Sequence, residues 1–100
     1  MKTVLTTICK REDAEKMAEA LLREKLAACV NMFPVESTYW WKGGIEKESE
    51  FVMMIKTKNS LAGKLEKRIV ELHPYELPVI EVIDSKTGKS VEKWIDEVTR

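Results

Sequence analysis

The sequence has few of the residues that most often build catalytic and metal sites. It contains one histidine, His73, and two cysteines, Cys9 and Cys29, without a Cys-x-x-Cys pair. A nucleophilic triad is not indicated, because no Gly-x-Ser-x-Gly motif occurs and the histidine has no serine partner in the pattern. No cofactor fingerprint is present. We therefore expect neither an organic cofactor nor an enzyme.

No excess of charge of either sign is present. Seventeen basic and seventeen acidic residues give a formal net charge of zero. This balance argues against nucleic acid as a partner, because binding to phosphates requires a surplus of lysine and arginine. It equally argues against an acidic membrane surface. The charged fraction is nonetheless 34% and glutamine is absent, a composition that leans toward a thermophilic source.

Long hydrophobic runs are also missing. No apolar stretch approaches the ~20 residues that span a bilayer, and residues 1–7 are too short and too polar for a secretory signal. Thiols in the cytosol are normally reduced, which suits two cysteines without a CxxC spacing. We therefore expect a cytoplasmic protein with a single domain over residues 1–100.

The first half of the sequence predicts a strand, a helix and a long hairpin. Residues 2–8 are rich in β-branched residues and predict a strand. The helical stripe comprises Ala14, Met17, Ala18, Leu21, Leu22 and Lys25. Residues 28–41 and 45–57 predict two strands joined by a tight turn at Gly43-Gly44. Pro34 lies inside the first arm and predicts a bulge or bend there, because proline cannot donate to the ladder.

The second half predicts a helix, a strand and a short final helix. Asn59 or Ser60 can cap the first of these helices. Its buried stripe comprises Leu61, Leu65, Ile69 and Leu72. Pro74 ends the helix, which places His73 at the helix exit. Residues 78–84 predict the last strand. The final amphipathic helix carries Val91, Trp94, Ile95 and Val98.

The order of these elements predicts an α+β fold. It is β-α-β-β-α-β with a long central hairpin and a short C-terminal helix, the ferredoxin-like sandwich of an antiparallel sheet with two helices on one face.

Two adjacent tryptophans on the hairpin predict association between copies. Trp40 and Trp41 must leave the sheet on opposite faces, so only one indole can enter the core of its own subunit. The other, with Tyr39 nearby, exposes on the order of 200 Å² of aromatic surface. The hairpin arms also exceed the usual ~5–6 residues. The alternative is a bulge at Pro34 that folds the hairpin back onto its own sheet.

Four motifs, in order along nearly the whole chain, resemble those of a known family. They are Leu26-Ala27-Ala28-Cys29-Val30-Asn31, Tyr39-Trp40-Trp41-Lys42-Gly43, Ile55-Lys56-Thr57 and His73-Pro74-Tyr75-Glu76-Leu77-Pro78, with Trp94-Ile95 in the tail. Together they resemble the divalent-cation tolerance family, CutA.

This resemblance implies a ferredoxin-like subunit, similar in fold to the PII signalling proteins. It also implies a homotrimer in which hairpins of adjacent subunits pair, and a cytoplasmic protein linked to copper and other divalent cations. Members that bind copper look like they use a cysteine late in the first strand and two consecutive histidines before Pro-Tyr. Thr6 and Leu72 stand at two of these positions here, and only His73 matches.

Three residues are candidate metal ligands for Cu(II) or another divalent cation. A neutral ring nitrogen of His73 suits Cu(II) or Zn(II), and the Cys29 thiolate suits Cu(I) or Zn(II). Glu76 can complete the site or orient the ring. The alternatives are a histidine bonded to a local carbonyl, an inert core thiol and a solvated carboxylate. Cys29 and His73 can meet across a cleft between subunits.

A second set of residues predicts a cleft for a small ligand. Lys56 interrupts an apolar run, and either extends to the edge or lines a polar cleft with Tyr75 and Glu76 as neighbours. Such a cluster suits a small anion or carboxylate. Trp40 and Trp41 are the candidate aromatic walls. The carboxylates Glu46, Glu48 and Glu50 share one strand face and either collect cations or form a solvated edge.

Three functions are compatible with these features. The first is a trimeric cytoplasmic protein of divalent metal homeostasis that binds metal or a small ligand between subunits. The second is a PII-like signalling or scaffold trimer without an intrinsic metal site. The third is an enzyme with His73 as general base, which the absence of a nucleophile disfavours.

Overall fold

The computed structural model describes residues 1–100 and confirms the predicted ferredoxin-like order of elements. Seven helices and strands are joined by short connections, with a single 3₁₀ turn at Asn59–Leu61 before the second helix. The elements are β1 (Lys2–Ile8), α1 (Arg11–Arg23), β2 (Cys29–Trp41), β3 (Gly44–Thr57), α2 (Ala62–Leu72), β4 (Ile80–Asp84) and α3 (Lys89–Val98). No helix is both long and apolar enough to cross a membrane.

The four strands form one antiparallel sheet in the order β2-β3-β1-β4. The two inner strands are therefore β3 and β1, and the edges are β2 and β4. Val4 pairs with Ile55 and Thr6 with Met53, which places these four side chains on one face. Because successive side chains alternate between faces, Leu5 and its cross-strand partners Met54 and Glu81 lie on the opposite face.

The core lies between one face of the sheet and helices α1 and α2. Its twelve buried members are Val4, Ile8, Ala14, Met17, Leu21, Leu26, Ala27, Met53, Ile55, Leu61, Leu65 and Ile69. The strand members occupy alternate positions and the helix members recur every three or four residues, which confirms the two periodicities read from the sequence. The opposite face, here called the open face, has no helix over it and includes Leu5, Phe33, Val52, Met54 and Ile83.

The prediction of a bulge at Pro34 was wrong. Strands β2 and β3 pair without interruption from Cys29 opposite Lys56 to Trp41 opposite Gly44, and Pro34 lies directly opposite Phe51. The physical reason is the position of β2 at the edge of the sheet. One side of an edge strand has no neighbour, so a residue without an N–H group can be placed there without loss of a ladder hydrogen bond.

The hairpin turn lies one residue earlier than predicted. Trp41 pairs with Gly44, so the two turn residues are Lys42 and Gly43. Both have positive φ, of 48° and 81°. Positive φ at both central residues is the type I′ geometry that matches the twist of a hairpin. The glycine relieves strain at one position, while the lysine adopts the left-handed conformation at the other.

Three details of the helices also differ from the predictions. Helix α1 ends at Arg23, so Lys25 lies outside it, with φ of 57°. Leu22 is 41% exposed and does not belong to the buried stripe. Neither the Asn59 nor the Ser60 side chain caps α2, since the chain enters this helix through the 3₁₀ turn and the Ala62 N–H donates to the backbone carbonyl of Asn59.

The hairpin extends well beyond the core and gives the subunit an elongated shape of 45 × 23 × 21 Å. Trp40 lies near its tip and is 73% exposed, and Ile45, directly opposite, is 60% exposed. The hairpin therefore does not fold back onto its own sheet. Within one chain, nothing covers the Trp40 ring.

Candidate functional site

A cleft of about 600 Å³ lies between the outer half of the hairpin and the loop that follows α2. We call it the hairpin cleft. The hairpin side consists of residues 37–41 with Glu48 and Glu50, and the loop side consists of residues 75–77 with Val79. Thr7, at the end of β1, closes the inner end. The cleft thus includes Trp40, Trp41 and Tyr75 among the predicted ligand-cleft residues, together with Glu76.

His73 anchors the loop to the end of β1. Pro74 excludes helical geometry at the preceding residue, and His73 accordingly leaves α2 with extended backbone angles. Its Nε2–H donates to the carbonyl oxygen of Thr7 at 2.9 Å, and its Nδ1 accepts from the backbone N–H of Tyr75 at 3.1 Å. Both ring nitrogens are therefore engaged. The side chain is buried, and burial lowers the pKa of the imidazole against the opposing effects of the Thr7 carbonyl and the Glu50 charge.

Tyr75 and Glu50 form a hydrogen-bonded pair at the inner end of the cleft. The Tyr75 hydroxyl donates to Oε2 of Glu50 at 2.5 Å, and its ring packs edge-on against His73 with centroids 4.6 Å apart. Burial, together with this bond and the Glu50 charge, raises the pKa of Tyr75. The phenol therefore remains a donor at physiological pH. Glu50 is only 5% exposed, so the hairpin carries a buried carboxylate just before its apolar run begins.

Two further contacts lie nearer the mouth of the cleft. The Tyr39 hydroxyl donates to Oε2 of Glu48 at 2.8 Å, and this bond raises the pKa of Tyr39 to about 12. The Lys42 ammonium lies 3.4 Å from Oε2 of Glu76 and 5.4 Å from the centre of the Trp41 ring. The loop and the turn of the hairpin are thus joined by an exposed ion pair.

Cys29 and Lys56 lie at the other end of the sheet and do not line the hairpin cleft. They are directly opposite each other on β2 and β3. The Cys29 thiol approaches Oδ1 of Asn31 at 3.7 Å, and the Lys56 ammonium donates to the same oxygen at 2.8 Å. Lys56 is six strand positions from Glu50, about 20 Å at the usual rise. Within one chain the structure therefore does not bring Lys56 to Tyr75 and Glu76, or Cys29 to His73.

No group of three or more His, Cys, Asp and Glu side chains in the chain is arranged to hold a metal ion. Thr6 and Leu72, which stand where the resemblance implies metal-type residues, lie in or against the core. Thr6 is 2% exposed, and its hydroxyl has no hydrogen-bond partner. Leu72 packs against the core cluster. A metal site shared between subunits, with His73, Cys29 and Glu76, stays a prediction.

Sequence reasoning did not identify the pairing of Glu50 with Tyr75 or the role of Thr7. The available signal was the position of Glu50 at the end of the alternating Glu46-Glu48-Glu50 series, next to the apolar run that starts at Phe51. A carboxylate at that boundary is close enough to the core to be buried. The partner across the cleft could not be read from the sequence, because a loop about 25 residues further along supplies it.

The fold and the cleft by themselves define the structural class of the chain. A four-stranded antiparallel sheet in the order β2-β3-β1-β4, with two helices on one face and a projecting hairpin, defines a ferredoxin-like protein with an exposed hairpin cleft. The chain belongs to the CutA family, because the family model described as CutA1 divalent ion tolerance protein matches residues 2–98.

Individual relatives agree with this assignment. The divalent-cation tolerance protein CutA of Pyrococcus horikoshii is 41% identical over 101 residues, which cover 100% of this chain and 99% of that protein. The protein of the same description from Archaeoglobus fulgidus is 42% identical over 87 residues, covering 86% and 85%. The crystal structure of Pyrococcus horikoshii CutA1 superimposes with a TM-score of 0.97 at 40% identity and covers 100% of this chain and 99% of that one.

A fourth similarity is to a structure described as PII-like. The structure described as PII-like protein CutA from Nostoc sp. PCC 7120, in apo form, superimposes with a TM-score of 0.94 at 37% identity, covering 100% of this chain and 98% of that one. The relatives carry names of tolerance proteins and not of enzymes.

Proposed function

We propose that this protein is a homotrimer of divalent metal tolerance, located in the cytoplasm, which binds Cu(II), another divalent cation or a small ligand in clefts between subunits. The observation that carries this proposal is the match of residues 2–98 to the divalent ion tolerance family. The exposed open face and the uncovered Trp40 support the assembly. Large exposed apolar surfaces usually mark contacts with another chain.

The metal part of the proposal is tested by isothermal titration of chelator-stripped protein with Cu(II). We expect saturable binding that weakens in both His73→Ala and Cys29→Ser, since a shared site needs both ligands. Cys9→Ser is the matched control, because Cys9 is an exposed thiol at the end of β1. Equal affinity of the wild type and both ligand variants would remove this site.

A second candidate is a PII-like scaffold trimer without an intrinsic metal site. The specific observation in its favour is that both ring nitrogens of His73 are engaged within the chain. A histidine used in this way stabilises a loop and has no lone pair free for a metal. This candidate predicts that Cu(II) leaves the melting temperature unchanged while His73→Ala lowers it.

Cell fractionation with an antibody tests the cytoplasmic location.

A further inference from the structure

We draw no further inference here: the strongest candidate, the apolar stripe of α3 formed by Val91, Trp94 and Val98, is exposed in one chain, and nothing in the structure shows what covers it.

Discussion

At the scale of single residues, two buried threonines differ in whether their hydroxyls have a hydrogen-bond partner. Thr6 and Thr57 are at most 2% exposed, yet only the Thr57 hydroxyl has a hydrogen-bond partner. It donates to the carbonyl oxygen of Leu26 at 2.7 Å. The Thr6 hydroxyl has none. A buried hydroxyl without a partner keeps its desolvation cost and gains nothing in return.

This contrast predicts opposite effects for the same substitution. Thr6→Val removes an unpartnered hydroxyl and keeps the shape of the side chain, so we expect the free energy of unfolding to rise by about 1 kcal/mol. Thr57→Val leaves the Leu26 carbonyl without its donor and should lower it by about 1–3 kcal/mol. Denaturant unfolding at fixed protein concentration measures both. A loss of stability in Thr6→Val would contradict the absence of a partner.

Lys25 is a second residue whose conformation makes a prediction. The end of α1 has the Schellman pattern, with hydrogen bonds from Leu26 N–H to the Leu21 carbonyl and from Lys25 N–H to the Leu22 carbonyl. Glycine normally occupies the left-handed position that Lys25 holds. We expect Lys25→Gly to raise stability by about 0.5–1 kcal/mol, after the larger entropy of the unfolded chain is subtracted. Lys58→Gly, at an ordinary extended position, should show no gain.

At the scale of elements, an ion pair joins the end of α1 to α2. The Arg68 guanidinium donates to both carboxylate oxygens of Glu24 at 2.8–3.2 Å. The hydrogen bond from Arg68 is the largest cause of a lowered pKa for Glu24. A carboxyl group whose folded pKa lies below its unfolded value stabilises the fold above the unfolded value, and this contribution is lost as the pH falls through the folded pKa.

We expect the wild type to have a higher free energy of unfolding than Glu24→Gln at neutral pH. This difference should disappear as the pH falls below 4.5, the ordinary pKa of a glutamate side chain. Unfolding by denaturant at a series of pH values measures it. Glu19→Gln is the control, because Glu19 pairs with Arg23 only within one exposed helix turn, where such pairs contribute little. A difference that persists unchanged at acid pH would show that the Glu24 charge is not responsible.

Most of the fold could be predicted from the sequence, and the exceptions have physical causes. The composition of each segment and the spacing of its apolar residues located every helix and strand, because burying one face of an element fixes that spacing. It could not place Pro34 at an edge, since strand order depends on pairing between distant segments. The cleft was predicted in part: Trp40, Trp41 and Tyr75 were identified from the sequence and line it, whereas Lys56 lies outside the cleft of its own chain. Once Glu50 and Lys56 share one strand, six positions separate them.

At the scale of the whole molecule, one chain leaves two kinds of apolar residue exposed. Phe33, on the open face, is 42% exposed, and Val70, on the outer side of α2, is 56% exposed. Single exposed apolar residues are common on protein surfaces, whereas a contiguous apolar sheet face usually contacts another chain. Phe33 has such a surface around it, because its cross-strand partner Val52 and the nearby Leu5 and Met54 share the open face.

The proposed trimer therefore predicts different effects of a charge at these two positions. Phe33→Lys places an ammonium group inside the subunit contact, and we expect the mass in sedimentation velocity to fall from three chains to one at micromolar concentration. Val70→Lys adds the same charge to a more exposed residue outside the open face and should leave three chains. If the wild type sediments as one chain, or if only Val70→Lys dissociates, then the open face is not the surface through which the copies associate.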